Sequence, residues 1–278
     1  MAVNNAAHRE FDFADRHFDW FRREVARVSG IHLSDAKREL VYSRLVRRLR
    51  ALGLDGFDAY TKVVERDPDE LTHFVNALTT NLTSFFRESH HFDYLRETLI
   101  PHLLEQRRHE RRIRIWSAGC STGEEPYSLA MTLAEAIPRI DDWDVKILAV
   151  DIDSNVVATA AEGIYQGARS SGLSDARRAR WFDDLGDGRI KAKPQLKALL
   201  RFGQLNLMSD WPFNGPFDAI FCRNVVIYFE RDTQARLFDR IIDKLANDGN
   251  LFIGHSESLF NVTDRVALIG RTVYRKVY

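Results

Sequence analysis

The sequence predicts an α/β protein: an open, Rossmann-like parallel sheet with a small inserted β-subdomain, preceded by an all-α N-terminal domain. Three observations carry that reading. Residues 113–131, IRIWSAGCSTGEEPYSLAM, read as a buried strand, a turn of small residues and a helix, the opening of a nucleotide-type βαβ unit. A second apolar run, residues 145–150, ends in Asp151-Ile152-Asp153. Residues 11–82, by contrast, repeat their apolar positions at helical spacing only.

Taken in order, residues 10–82 form the helical domain, with breaks at Gly30, Gly53, Gly56 and Pro68. Phe18, Phe21, Val25 and Val28 share one face of the first helix. Ser34 is placed to cap the second, residues 35–52, where Val41, Leu45, Leu49 and Leu52 fall on one side. Lys37, Arg44, Arg47 and Arg48 fall on a neighbouring side with few acids beside them. They read either as a solvated face or as a docking surface for an acidic partner. Further helices are expected over 57–66 and 69–79.

Residues 83–112 are expected to be a linker and a connecting helix, 90–106. They open within TTNLTSFFRE, where Phe85 and Phe86 suit packing, and Asn81, Thr83 and Arg87 suit a ligand lid. Residues 113–278 then form the α/β domain. Its regular alternation breaks over 164–202, which reads as the inserted subdomain, with short strands near 189–191 and 200–202. FDAIFC at 217–222 is a buried strand ending in Arg223-Asn224-Val225, with Tyr228 just beyond. Residues 266–269 and 272–277 read as a closing antiparallel pair.

The turn Ser117–Gly123 has neither the G-x-G-x-x-G spacing of a dinucleotide loop nor a phosphate-binding P-loop. Glu124 and Glu125 open the helix after it and would repel an anion. That favours a cationic ligand such as S-adenosylmethionine, with its ammonium and sulfonium, although an ordinary tight turn in another α/β sheet would read the same way. Ligands of open parallel sheets sit beyond the carboxyl ends of the strands. Four successive strand ends offer Gly119 with Glu125, Asp151, Asn206 and Asn224 to one crevice. Each is also a common turn residue.

Composition excludes several classes. Among 278 residues, 40 Lys and Arg balance 40 Asp and Glu, which argues against a dedicated nucleic-acid binder. Two cysteines, Cys120 and Cys222, give no disulfide framework. No metal is expected, because the adjacent His90-His91 would not face one ion from a helix. With no signal peptide and no long apolar run, the expectation is a cytoplasmic protein without direct membrane insertion.

The motifs TTNLTSFFRE, WSAGCSTGEEPYSLA, AVDID, FDAIFCRNVVIYF and GHSES together resemble the bacterial chemotaxis receptor methyltransferases, the CheR family, in order from about Gly30 onward. The resemblance implies an S-adenosylmethionine-dependent methyltransferase fold and methyl transfer to glutamate side chains on the cytoplasmic helices of a methyl-accepting chemoreceptor. It implies cofactor contacts at Asn81, Thr83, Arg87, Glu125, Asp151, Asn206, Leu207, Asn224 and Val225. It places Arg87 and Tyr228 beside the transferred methyl. The basic residues Lys37, Arg44, Arg47 and Arg48 then become the receptor-binding face. A nucleic-acid methyltransferase and a non-catalytic receptor adaptor are the competing readings; no Asn/Asp-Pro-Pro-aromatic motif follows the strand 217–222, as the first would want. Some family members tether to a receptor C-terminal pentapeptide through the β-subdomain. Here the loop 183–189 is short and acidic and Pro194 lacks a ladder donor, so independence from that peptide is expected. A monomer is expected.

Overall fold

The computed structural model describes residues 9–170 and 172–277. They divide into two compact units at Thr80/Asn81.

In the first unit, α1 (Asp15–Ser29), α2 (Arg38–Leu52), α3 (Phe57–Arg66) and α4 (Pro68–Leu78) pack around an aromatic core. Phe21 lies within 6 Å of Phe57, Tyr60 and Phe74, centroid to centroid. Each fully buried Phe contributes about 1.5–3 kcal/mol. Asp67 caps α4 by accepting from Asp69 N at 2.9 Å, and Pro68 takes the first helical position. Ser34, expected as a cap, precedes a short 3-10 turn, Asp35–Lys37, and makes no side-chain cap bond.

The basic stripe on α2 is partly internal scaffolding. Arg48 grips Glu70 of α4 at 3.0 and 2.5 Å, and Tyr60 Oη donates to the same carboxylate at 2.8 Å. Glu70 is only 3% exposed, so this pair is held against solvent competition. Arg44 donates to the carbonyls of Leu78 and Thr79, at 3.0 and 2.6 Å, satisfying the open end of α4. Lys37 and Arg47 alone of the four are exposed. The neutralising acid lies 22 residues away, beyond the reach of helical periodicity.

In the second unit, seven strands form one sheet. They are β1 (Arg112–Ala118), β2 (Asp144–Asp151), β6 (Leu200–Gln204), β7 (Phe217–Cys222), β8 (Leu245–Ile253), β9 (Val266–Gly270) and β10 (Val273–Lys276). β3 (Ile164–Gln166), β4 (Phe182–Asp184) and β5 (Arg189–Ala192) form a separate small sheet. The large sheet runs β6-β2-β1-β7-β8-β10-β9, parallel except for β10, which is antiparallel to both its neighbours. The strand side chains alternate between two cores. Ile113, Ile115, Ala219 and Phe221 face one; Trp116, Ala118, Ile220 and Cys222 face the other.

Three boundaries differ from the sequence reading. The expected linker and connecting helix, 83–112, is a layer of the second unit: the helix is present as α5 (His90–Tyr94), a π turn at Leu95–Leu99 and α6 (Ile100–Gln106), which bury Phe92, Leu95, Leu99, Ile100 and Leu103 against the first core. The inserted subdomain ends before residue 200, because Leu200–Gln204 pairs in parallel with β2 at the edge of the large sheet. Asn247-Asp248-Gly249, whose residue types suit a turn, falls within β8. In the small sheet β5 is central, paired on one side with β3 and on the other with β4. An added peptide strand would therefore need the outer edge of β3 or β4, not the 189–193 stretch.

Candidate active site

Four neighbouring parallel strands, β6, β2, β1 and β7, end at the same edge of the sheet. The chain order thus brings Asn206, Asp151, Gly119 and Asn224 to one row. This is where α7 (Glu124–Ala136) begins.

The turn after β1 is built for close approach. Gly119 has φ +93°, and its amide donates to Val150 O at 2.8 Å. A Cβ on Gly119 would stand 2.3 Å from Val225 Cγ2, so no other residue fits without moving the β7 loop. Asp151 closes β2 and is 8% exposed. Its two oxygens accept from Ser121 N at 2.8 Å and Asp153 N at 3.0 Å. Burial pushes its carboxyl upward, opposed by those two amides. Asn81 joins this corner by donating to Asp153 Oδ2 at 2.7 Å and accepting from Ser121 Oγ at 3.2 Å. Thr83 is half-buried nearby in sequence. Asn206 turns the chain after β6 by accepting from Met208 N at 2.9 Å, and the buried Leu207 offers its carbonyl to Arg240 at 2.9 Å.

Glu125, in the first turn of α7, is buried. Its carboxylate accepts from Ser117 Oγ at 2.7 Å and Arg223 Nη1 at 2.9 Å. Burial raises its carboxyl, and the Arg223 charge opposes the shift. Arg87 lies half-buried and donates to Leu82 O at 2.9 Å. Its flanks, Phe86 at φ +52° and Glu88 at φ +57°, occupy the left-handed region that non-glycine residues rarely adopt. Tyr228 ends a single 3-10 turn, Val226–Tyr228, and is half-buried.

Two residues escaped sequence reasoning. Glu257 is buried and gathers the β7 loop. It accepts from Asn224 N at 2.8 Å and Gly254 N at 2.6 Å through Oε2, and from Val226 N at 3.0 Å through Oε1. Asn224, at φ +58°, is thereby fixed in a left-handed conformation that Asn tolerates better than most residues. A Cβ on Gly254 would lie 2.4 Å from Asn224 Nδ2, which requires the glycine of the GHSES motif. That motif was the available signal for Glu257. Arg223, the other, stands in FCRN one position before Asn224.

Glu88, His90 and His91 bring ligand atoms within 4.8 Å of one another, contrary to the expectation that the histidine pair cannot converge. The cation at this cluster is Arg223, 3.3 Å from Glu88 Oε2. Burial alone would raise Glu88, but the His255 bond and the Arg223 charge hold it down at about 2. Burial and the same Arg223 charge hold His91 down at about 3.

The glycine-pinched turn, the buried carboxylates at the ends of β2 and α7 and the absence of Lys or Arg from Ser117–Gly123 suit a cationic cofactor with ribose hydroxyls. Asp151 and Glu125 each retain acceptor capacity beyond their protein partners. The fold and this edge define an S-adenosylmethionine-dependent methyltransferase. The family model described as CheR methyltransferase, SAM binding domain matches residues 81–275, and its all-alpha domain matches residues 16–79. The chain is 44% identical over 270 residues to chemotaxis protein methyltransferase 2 of Pseudomonas aeruginosa, covering 96% of this chain and 95% of that one. It is 43% identical over 268 residues to the chemotaxis protein methyltransferase of Salmonella typhimurium, covering 94% and 90% respectively. It is 42% identical over 268 residues to that of Escherichia coli, covering 94% and 91%. The chain belongs to the CheR methyltransferase family. No helix among the described residues is long and apolar enough to cross a membrane.

Proposed function

We propose that this protein transfers a methyl group from S-adenosylmethionine to glutamate side chains on the cytoplasmic helices of a chemoreceptor, forming glutamyl methyl esters. The observation that carries this reading is the match, over nearly the whole length of both chains, to chemotaxis protein methyltransferases. The cofactor supplies an electrophilic methyl on a sulfonium. The chain's own groups bind, orient and exclude water.

Glutamate has a reference pKa of about 4.3, so the acceptor is already an anion at neutral pH and needs no general base. This agrees with the state of the histidines near the strand ends. His91 is buried, neutral and engaged with Thr272 Oγ1 at 2.9 Å, and His255 is bound to Glu88 at 2.9 Å. Arg87 steers and holds the incoming carboxylate, and Tyr228 orients it. Asp151 receives the ribose and Glu125 the ammonium. Asn81, Thr83, Gly119, Asn206, Leu207, Asn224 and Val225 complete the cofactor contacts.

The test is incubation of the protein with methyl-labelled S-adenosylmethionine and receptor-containing membranes. Base-labile label in the receptor supports the reading. Label only in added nucleic acid, or no label at all, removes it. Asp151→Ala is expected to weaken cofactor binding by about 1.5–3 kcal/mol, the worth of a hydrogen bond to a charged group. Unchanged affinity by calorimetry would place the ribose elsewhere.

Receptor docking falls to the exposed members of the basic stripe. Reversing Lys37 and Arg47 to Glu is expected to slow receptor methylation at unchanged cofactor affinity, and more so at low salt. Arg48→Ala is expected to lower the melting temperature instead, by leaving the buried Glu70 carboxylate without its counter-charge and held by Tyr60 alone, at a cost of about 3 kcal/mol. Equal receptor-dependence in both variants would return Arg48 to the docking face. The protein acts as a monomer and independently of a receptor C-terminal pentapeptide. Saturable micromolar binding of that peptide would contradict the second point.

A further inference from the structure

We propose that Arg223 is a positioning residue that joins the cofactor's methionine end to the strained segment carrying Arg87. It follows β7 directly, and its side chain is 3% exposed. One terminal nitrogen, Nη1, donates to Glu125 Oε2 at 2.9 Å. The other, Nη2, donates to the carbonyl of Arg87 itself and stands 3.3 Å from Glu88 Oε2. Its guanidinium carbon also lies 5.8 Å from the centre of the Phe92 ring.

The planar fork explains why arginine stands here. Two acids and a backbone carbonyl diverge from one point, and a guanidinium spans them where a compact ammonium does not. Each end of the fork meets something that needs support. Glu125 is a buried carboxylate, and the Arg223 charge opposes the upward shift that burial imposes on it. Phe86 and Glu88 hold left-handed conformations, which persist only where surrounding bonds over-determine them. The bond from Arg223 to the Arg87 carbonyl is one such restraint, and Phe86 N to Ser128 Oγ at 3.0 Å is another. Glu88 is fixed from its far side by His255 N and Nδ1, at 3.2 and 2.9 Å. The acid that receives the ammonium and the backbone that presents Arg87 are thus held by one side chain.

This inference rests on the reading that Glu125 receives the cofactor's ammonium. The experiment uses the full-length protein and two ligands, S-adenosylhomocysteine and 5′-methylthioadenosine. The second lacks the amino-acid end. Arg223→Lys keeps the charge but not the fork. It is expected to lose about tenfold in affinity for S-adenosylhomocysteine, to keep its affinity for methylthioadenosine within about twofold, and to lose about tenfold in kcat at saturating cofactor. A loss of general folding would lower both affinities together, and that result overturns the proposal. So does an unchanged kcat. Glu88→Gln, which leaves the Glu125 contact in place, is expected to lower kcat without changing the ratio of the two affinities; an unchanged kcat there also counts against it. Glu125→Gln separates the two readings. If it fails to discriminate the ligands, the ammonium site itself is wrong. If it discriminates while Arg223→Lys does not, only the positioning role falls.

Discussion

Arg87→Ala is expected to reduce kcat for receptor methylation by about 100-fold while changing cofactor affinity far less, the loss expected when the group that positions the attacking oxygen is removed. The acceptor carboxylate is already ionised, so little is gained from proton transfer. The rate depends on bringing a hydrated anion into line with the methyl and removing its water. Arg87 is suited to that work because it is half-buried and its backbone is held on both sides. Arg87→Lys should recover only part of the loss, since a point charge replaces a planar fork. Single-turnover measurements with bound cofactor give the number. A drop confined to cofactor affinity, with kcat intact, would take Arg87 out of the chemical step.

Glu257→Ala carries the largest expected effect on folding and cofactor binding together. Its carboxylate serves three backbone N–H groups: Asn224, Val226 and Gly254. Removing it strands several buried donors, each costing about 1–3 kcal/mol, so a loss of about 3–5 kcal/mol in stability is expected. Asn224 would be released from its left-handed conformation, and Val225, which packs over Gly119, would shift with it. Glu257→Gln should be milder, because one acceptor oxygen remains. Chemical denaturation and cofactor titration of both variants give the ranking. A Glu257→Ala protein with native stability would mean the three amides find solvent without cost.

Much of this was legible in the sequence because it is local. Residues 113–131 alternate burial and then turn on small residues, and the structure finds β1, a pinched turn and α7 there. Asp151 and Asn224 were visible because strand ends are marked by an apolar run stopping at a polar residue. What stayed hidden depends on distant partners. Arg223 meets Glu125 across 98 residues and Glu257 meets Asn224 across 33, and no periodicity reports such a pairing. Arg48 looked like a surface charge because Glu70 lies on another helix. Residues 200–202 were read into the inserted subdomain because a short strand shows its type but not the sheet it will join. The helix expected over 90–106 is present as α5, a π turn and α6, but its packing into the core stayed hidden because its partners lie on distant strands.

The two thiols are buried, Cys120 in the turn after β1 at 1% exposure and Cys222 at the end of β7 at 0%, and burial raises both well above the ordinary range. Thiolate, not thiol, reacts with alkylating reagents. Both thiols are therefore expected to react slowly with maleimide in the folded protein, a rate that a labelling time course reads. A single cysteine introduced at the exposed Asp183 of β4 would take a fluorophore there alone, without first replacing either native thiol. Slow labelling of Cys120 and Cys222 in the unmodified chain would in turn count the moments when the catalytic sheet opens, which makes these two residues a built-in clock for its unfolding.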